Sequence, residues 1–262
     1  MLNIASWNIN SVRLRIKLLA DIIADNNFDI ICLQETKTQD EFFPAEEIRK
    51  LGYQYLYYRG EKSYNGVAIL SKIPFKHQFY LDFCHIGDKR HVAVQLANDI
   101  IIHNFYIPAG GDEPDAKINP KFAHKLKFLD EMIAYFLQEE PKQNIIMGDF
   151  NIAPNEHDVW SHKQLKNIVS HTEIEINKLN ILAKNSGWVD AHRTIIPLNE
   201  KLYSWWSYRA KDWLKSNRGR RLDHLWFSPD LIDKLDHAVI HQKYRGYEQP
   251  SDHTVISASF NL

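Results

Sequence analysis

Short apolar runs of the strand type, separated by polar turns, recur along the whole of this 262-residue chain. They span residues 2–9, 29–35, 53–58, 66–71, 91–96, 100–106, 144–148, 222–228 and 254–260, and amphipathic stripes predict helices over 13–26, 44–51, 120–136 and 173–186. The link at residues 97–99 is short enough to require a hairpin and antiparallel pairing. The regular strand–helix alternation of a doubly wound parallel sheet is missing. We therefore predict an α/β fold in which two mixed β-sheets pack face to face with helices outside.

Neither a repeat of 20 to 50 residues nor a Pro- or Ser-rich linker interrupts the chain, so residues 1–262 are predicted to form one domain. Apolar residues make up 44% and charged residues 25%, which is the balance of a folded globular protein. No apolar stretch reaches the roughly 18 residues of a membrane span, and residues 1–8 do not resemble an export signal. Cys32 and Cys84 are the only cysteines, so no disulfide framework is predicted and a reducing cytoplasm is favoured.

The formal net charge is −1, so the overall charge does not point to a nucleic-acid ligand. Residues 201–221, however, carry seven basic residues against one acidic residue, with five aromatic residues interleaved. They are Lys201, Arg209, Lys211, Lys215, Arg218, Arg220 and Arg221, with Tyr203, Trp205, Trp206, Tyr208 and Trp213. Cations alternating with stacking faces suit a polyanion that carries bases or sugars. A solvated basic loop over core aromatic residues has the same composition, so both interpretations stay open.

Polar residues suited to a divalent cation stand at the ends of two predicted strands. Asn8 and Asn10 end the first strand, and Glu35 ends the second, with Lys37 two residues later. Carboxylate and amide oxygens held on rigid strands are hard ligands of the kind that Mg²⁺ prefers. A strand-terminal turn uses the same residue types, and neither motif alone decides between a turn and a metal site.

Two further clusters combine a carboxylate with an amide or an imidazole. Asp149 and Asn151 follow Gly148, which is expected to let the backbone turn sharply, and in extended chain they project to one side. Asp149 could then activate a water, while Asn151 donates a hydrogen bond to a developing phosphorane oxygen. Asp223 and His253 come from separate Asp-His dipeptides and can form a carboxylate–imidazole pair. Each cluster alone also fits a loop or a structural histidine, but all of them fall at predicted strand ends.

Six motifs stand in one order along the chain. They are WNINSVR at 7–13, LQETK at 33–37, GVAILS at 66–71, GDFN at 148–151, NRGRRLD at 217–223 and PSDH at 250–253. In this order they resemble exonuclease III and the apurinic/apyrimidinic (AP) endonucleases, a group within the endonuclease/exonuclease/phosphatase superfamily. The resemblance covers nearly the whole chain, from Leu2 to Phe260. It implies a deoxyribonuclease I-like, four-layered α/β sandwich, in agreement with the mixed sheets inferred from the strand pattern.

The resemblance implies a magnesium site. Asn8 and Glu35 would bind the catalytic Mg²⁺, for which Mn²⁺ could substitute, and Asp252 would lie near the same ion. The metal site would also include Asp149, Asn151 and His253, each of which has a further role in the reaction.

The resemblance also implies roles in the reaction. Asp149 would activate the attacking water, and Asn151 would orient it and steady the transition state. His253 would contact the scissile phosphate, Asp223 would hold its imidazole, and the Tyr106 hydroxyl would approach the same phosphate. The residues expected to contact DNA are Arg13, Lys37, Trp205, Arg209, Trp213, Asn217, Arg218, Arg220 and Arg221.

Three positions depart from the pattern of the relatives. Ala109 stands where they usually carry Asn or Gln, so one phosphate donor is absent. Asn10 stands where some members have Asp, which removes a possible outer metal ligand. Arg220 stands where some animal members have a Trp that packs on the abasic sugar, and Trp205 and Trp213 remain as aromatic candidates.

Taken together, the resemblance implies a Mg²⁺-dependent phosphodiesterase that cleaves duplex DNA 5′ to abasic sites and trims 3′ ends or removes 3′ nucleotides. Duplex DNA is then the partner, no membrane is involved, and a monomer is expected. One alternative is a phosphatase or phosphodiesterase of the same superfamily with a non-DNA substrate, which the basic and aromatic segment argues against. The other is a DNA-binding module with weak catalysis, which the presence of Glu35, Asp149 and His253 argues against.

Overall fold

Two six-stranded β-sheets dominate the computed structural model, which describes residues 1–210 and 212–262. In the first sheet, neighbouring strands follow the order β13 (Leu235–His241), β14 (Val255–Phe260), β1 (Leu2–Asn8), β2 (Ile30–Gln34), β4 (Tyr64–Ser71) and β3 (Tyr55–Glu61). The pair β1–β2 is parallel and the other pairs are antiparallel.

The second sheet is mixed in the same way. Its order is β5 (Phe75–Phe79), β6 (His91–Leu96), β7 (Ile101–Tyr106), β8 (Asn144–Asp149), β12 (Asp223–Phe227) and β9 (Val189–Asp190). Only β7–β8 is parallel, and β6–β7 is the hairpin predicted from the link at residues 97–99. A separate two-stranded ribbon pairs β10 (Trp205–Trp206) with β11 (Gly219–Arg220).

Seven α-helices are found among the described residues, and four of them pack on the outer faces of the two sheets. The seven are α1 (Ile16–Asp25), α2 (Ala45–Lys50), α3 (Pro120–Glu139), α4 (His162–Leu165), α5 (Glu173–Ser186), α6 (Ala191–Ile195) and α7 (Trp213–Ser216). Apolar residues of α1 and α2 cover the first sheet, and those of α3 and α5 cover the second. Within the described residues, every helix is too short or too polar to cross a membrane.

A third apolar cluster fills the space between the two sheets. Ile4 and Val67 from the first sheet meet Val94, Ile102 and Leu225 from the second, and all five are fully buried. Burying apolar area of this kind is the main favourable term in folding. Helix, sheet, sheet and helix therefore form four layers, and the predicted sandwich is confirmed.

The structure corrects several predicted elements. The edge strands β5 and β13 were not predicted, because their polar and apolar side chains, mostly half-buried or exposed, do not form an apolar run. The first helix begins at Ile16 and not at Arg13, since residues 12–14 form a turn and Arg15 is the non-helical N-cap. Leu14 falls within the predicted helix over 13–26, but it lies before α1 and is 56% exposed.

Strand register brings the polar strand ends of both sheets together. Parallel pairing of β1 and β2 places Asn8 beside Gln34 at the same end of the first sheet. In the second sheet, β8 lies between β7 and β12, so Asp149 has Tyr106 on one side and Asp223 on the other. The carboxylates predicted from separate segments therefore meet at one end of the sandwich.

Candidate active site

Asp149, Asp223 and His253 form a buried cluster at this end of the sandwich. His253 Nδ1 lies 2.8 Å from Asp223 Oδ2, and its Nε2 lies 3.6 Å from Asp149 Oδ2. Potential ligand atoms of the three side chains all lie within 4.8 Å of one another. The structure thus contains the predicted carboxylate–imidazole pair and adds a second carboxylate on the opposite side of the ring.

The charges in this cluster shift the proton affinities of its members. Burial raises the pKa of the Asp149 carboxyl to about 7, although the neighbouring His253 imidazole opposes the shift. Burial alone would lower the pKa of His253, but the carboxylates of Asp223 and Asp149 raise it to about 10. The carboxylates on both sides of the ring therefore favour the cationic imidazole, and burial favours a proton on Asp149.

Ser204 supports this pair, and the sequence reasoning did not identify it. Its Oγ donates to Asp223 Oδ2 at 2.6 Å and accepts from the backbone N–H groups of Leu222 and Asp223. These contacts fix the carboxylate that in turn orients the ring of His253. A lone serine between aromatic residues carries no sequence signal for such a role.

Glu35 occupies the adjoining part of the site, on the first sheet. Its Oε1 accepts hydrogen bonds from Asn8 Nδ2 at 2.9 Å and from the Tyr106 hydroxyl at 2.8 Å. Burial would raise the pKa of Glu35, but the Lys37 ammonium and the Asn8 amide lower it overall. Burial, together with Glu35, raises the pKa of Tyr106 well above its usual value. The site thus holds an ionised carboxylate next to a protonated phenol.

The oxygens around Glu35 are hard donors of the kind that bind a cation. The Lys37 ammonium already sits among them, 2.6 Å from Glu35 Oε2 and 2.6 Å from Asn10 Oδ1, so this position accepts positive charge. Asn8 Nδ2 donates to both Glu35 and Asp149, at 2.9 and 2.8 Å, while its Oδ1 accepts from the Asn10 backbone. In this arrangement Asn8 joins the two carboxylates, and its own role as a ligand stays a prediction.

Asp252 lies next to this cation position. Its Oδ1 accepts from Asn10 Nδ2 at 3.1 Å, and its Oδ2 accepts from Trp205 Nε1 at 3.0 Å. Burial would raise the pKa of Asp252, but His253 and these donors lower it. The partly exposed indole of Trp205 therefore forms a wall of the site and is anchored to one of its acids.

Asn151 reaches the site by a different route from the one expected. Its φ of 54° is left-handed, so residues 149–151 form a turn and not an extended segment. The Asn151 backbone N–H donates to Asp149 Oδ1 at 2.9 Å, and its Nδ2 donates to Ile107 O at 2.9 Å and to Asp149 Oδ2 at 3.2 Å. Gly148 does not make this turn. It lies within β8, where a Cβ would stand 1.9 Å from Phe105 O.

Several residues expected to contact DNA lie on the surface. Arg13, Arg209 and Arg218 are exposed, and Arg218 lies over the Trp160 ring at 4.7 Å. Lys37 is half-buried in its contact with Glu35. Asn217 is exposed, although its Oδ1 accepts from the indole N–H of the buried Trp206 at 3.1 Å. Lys211 lies outside the described residues.

Trp213 and Arg220 have mixed environments. Trp213 is half-buried and packs edge-on against Trp206, with ring centroids 5.2 Å apart. Arg220 lies over the Trp205 ring at 5.4 Å, and its Nη1 donates to Val169 O and Ser170 Oγ at 3.1 and 2.7 Å. Arg220 therefore connects the wall of the site to a neighbouring loop, and contact with DNA remains a prediction for both residues.

The expected DNA contact of Arg221 is wrong. Its side chain is fully buried, and its guanidinium donates to both oxygens of Asp158 at 3.0 Å and to Asp190 Oδ2 at 2.7 Å. A phosphate could reach it only if these ion pairs broke, which leaves buried charges unpaired. Arg221 instead fixes the backbone just before Asp223.

Comparisons with known proteins agree with this geometry. The model of the endonuclease/exonuclease/phosphatase family matches residues 5–253. The chain is similar to exodeoxyribonuclease III of Haemophilus influenzae, with 32% identity over 97% of this chain and 98% of the relative. Among solved structures it is similar to an AP endonuclease from Archaeoglobus fulgidus (TM-score 0.93, 31% identity) and a 3′ phosphatase from Neisseria bound to product DNA hairpin (TM-score 0.92, 26% identity), each covering 100% of both chains.

Proposed function

We propose that this chain, which belongs to the endonuclease/exonuclease/phosphatase family, is a Mg²⁺-dependent phosphodiesterase. It would cleave duplex DNA 5′ to abasic sites and process 3′ ends. The family assignment supports the more general function, which is that of a hydrolytic nuclease of the exonuclease III and AP endonuclease type. The carboxylate–imidazole–carboxylate cluster of Asp149, His253 and Asp223 is the observation that supports the chemistry. We further propose that the chain acts as a single-domain monomer.

The geometry supports in-line attack of water on phosphorus. Asp149 Oδ2 is placed to accept a proton from the water, and its raised pKa suits that exchange near neutral pH. The His253 imidazolium donates toward a nonbridging phosphate oxygen, with Asp223 fixing its orientation. The protonated Tyr106 hydroxyl, which here donates to Glu35, would become a second donor to the phosphate by turning its O–H away from that carboxylate. A Mg²⁺ ion held by Glu35, with Asn8 and Asp252 nearby, would neutralise charge on the phosphate and the leaving oxygen.

DNA is the substrate that best fits the surface around this cluster. The exposed Arg209 and Arg218 belong to the same basic and aromatic segment as Trp205, whose indole donates to Asp252 in the site and offers a stacking face. The Archaeoglobus relative is an AP endonuclease, which supports cleavage at abasic sites. The Neisseria relative is a 3′ phosphatase with a DNA product, which supports removal of a 3′-phosphate as a second activity.

Three matched duplexes test the proposal directly. One carries an internal abasic-site analogue, one a 3′-phosphate and one a plain recessed 3′ end, and the purified protein is assayed on each. Cleavage 5′ to the abasic site is the expected activity, and the relative rates rank the others. If a small phosphate ester is hydrolysed and all three duplexes remain intact, the chain is a superfamily phosphatase with another substrate.

Metal dependence is the first expected result. Excess EDTA should abolish cleavage and added Mg²⁺ should restore it, because the oxygens around Glu35 would bind such an ion through a few hard ligands only. Glu35→Ala should raise the Mg²⁺ concentration needed for half-maximal rate as well as slow the enzyme. Glu46→Ala, at an exposed residue of α2, is the control and should leave the titration unchanged. Full activity in EDTA contradicts the assignment.

The salt dependence of binding tests whether the exposed cations Arg209 and Arg218 contact DNA phosphates. Each phosphate contact adds about 0.9 to the slope of log K against log salt, so replacing Arg209 and Arg218 with Ala should flatten it by roughly 2. Arg49→Ala is the control, because Arg49 lies beside the start of β3, at the other end of the first sheet from Glu35. Binding of labelled duplex without Mg²⁺ gives the slopes. Equal slopes for both variants would remove Arg209 and Arg218 from the DNA interface.

A further inference from the structure

Lys125, on the inner face of α3, is a fully buried cation whose hydrogen bonds lead toward the candidate active site. Its ammonium lies 2.5 Å from Glu175 Oε1, 2.8 Å from Asn151 O and 3.3 Å from Ala109 O. These acceptors belong to α5, to the turn after β8 and to the segment after β7. One side chain therefore joins a helix behind the second sheet to two loops at its catalytic end.

Glu175 is held as firmly as the lysine it pairs with. It completes the N-terminal capping box of α5, where Oε2 accepts from the Thr172 N–H and hydroxyl at 3.1 and 2.6 Å. The Ser170 N–H donates to both carboxylate oxygens at 3.0 Å. The position of the Lys125 ammonium is thus fixed from the helix side, and its remaining donors are directed at backbone carbonyls.

The contact with the Asn151 carbonyl matters because this peptide is conformationally unusual. Asn151 is a non-glycine residue with φ of 54°, and its N–H and side-chain amide both donate to Asp149. Asn tolerates a left-handed conformation better than most residues, and contacts around it offset the small remaining cost. Lys125 is the side chain that donates to the carbonyl of that residue.

We propose that Lys125 is a positioning residue, which holds the Asn151 turn so that its amides orient the Asp149 carboxylate. This inference rests on the proposed function, because it takes Asp149 as the group that activates water. Lys125 acts through Asn151 and does not touch the reacting atoms. Loss of the contact lets the turn relax, and a small displacement of a catalytic group lowers kcat more than it weakens substrate binding.

The competing explanation is that Lys125 and Glu175 only join α3 to α5. A second ion pair joins the same two helices, between Lys178 and Asp130, and it makes no contact with Asn151. Lys178→Met therefore measures the effect of weakening the helix packing alone. Removing only one partner of the buried pair leaves an unpaired buried charge, which destabilises the fold. The test variant is thus Lys125→Met/Glu175→Gln, which removes both charges and retains the acceptor of the capping box.

Steady-state kinetics on the abasic duplex, with melting temperatures, compare the two variants with the unaltered protein. For the double variant we expect kcat to fall by about 10- to 100-fold, with KM changed by less than about twofold. Lys178→Met should retain its kcat. The inference is overturned if the double variant stays folded and keeps the kcat of Lys178→Met.

Amide hydrogen exchange of the peptide containing Asn151 tests the contact without reference to catalysis. Exchange of that peptide should speed up by at least about tenfold in the double variant and stay unchanged in Lys178→Met. If the unaltered protein cleaves none of the duplexes, the proposed function fails and the exchange data still decide the positioning role. Unchanged exchange in the double variant overturns it.

Discussion

Asp149→Asn is expected to slow DNA cleavage by a factor of about 10² or more, while the protein keeps its fold and its affinity for DNA. Asn matches the shape of Asp, and its single carbonyl oxygen can still accept from the Asn151 backbone N–H, while its amide nitrogen replaces the oxygen that accepts from Asn8. It cannot take a proton from water. Single-turnover rates on the abasic duplex measure the loss, and binding without Mg²⁺ together with the melting temperature shows that nothing else changed.

The matched control is Asp130→Asn, the same change at an exposed residue of α3. It should leave the cleavage rate within about twofold of the unaltered protein, as surface substitutions away from the site usually do. If Asp149→Asn lost less than tenfold, another group would have to activate the water. Asp149 would then serve to orient it.

Non-additivity is expected for His253→Ala and Asp223→Ala. Each change alone should cost on the order of 10² or more in kcat, because either one removes the oriented imidazolium. The double variant should be within about tenfold of the slower single variant, since the 2.8 Å pair acts as one unit. Rates on the abasic duplex for all four members of the cycle give the coupling directly.

A second double-mutant cycle, of His253→Ala with Arg218→Ala, supplies the comparison for this result. Arg218 is exposed on the surface and lies over Trp160, so its loss should be additive with the loss of His253. If the losses of His253 and Asp223 multiplied in the same way, the two residues would act independently. The hydrogen bond between them would then have no catalytic role.

Much of the architecture can be predicted from the sequence, because strand and helix formation respond to local patterns. Apolar runs predicted the central strands of both sheets, where burial on both faces leaves little choice of residue. The predicted helix over residues 173–186 matches α5 at both ends, where the Thr172–Glu175 capping box begins it and Gly187 ends it. The edge strands β5 and β13 escaped prediction because neighbours on one side only do not demand an apolar run.

Local sequence patterns do not determine how the residues of the candidate site are arranged in space. The sequence placed Asp149, Asp223 and His253 at strand ends, and the strand register brought them together. Arg218 and Arg221 were equivalent members of one basic segment by composition. In the structure the first is exposed and the second is fully buried against Asp158, 63 residues away along the chain.

The sequence by itself determined the class of fold, the family and the residue types available for catalysis. Only the tertiary structure decided which cations face solvent, that Asn151 reaches Asp149 through a left-handed turn, and that Lys125 supports that turn from behind. The physical reason is the distance along the chain over which each kind of interaction acts. Backbone propensity and side-chain periodicity act over a few residues, whereas burial, charge pairing and pKa depend on partners that folding brings from distant parts of the chain.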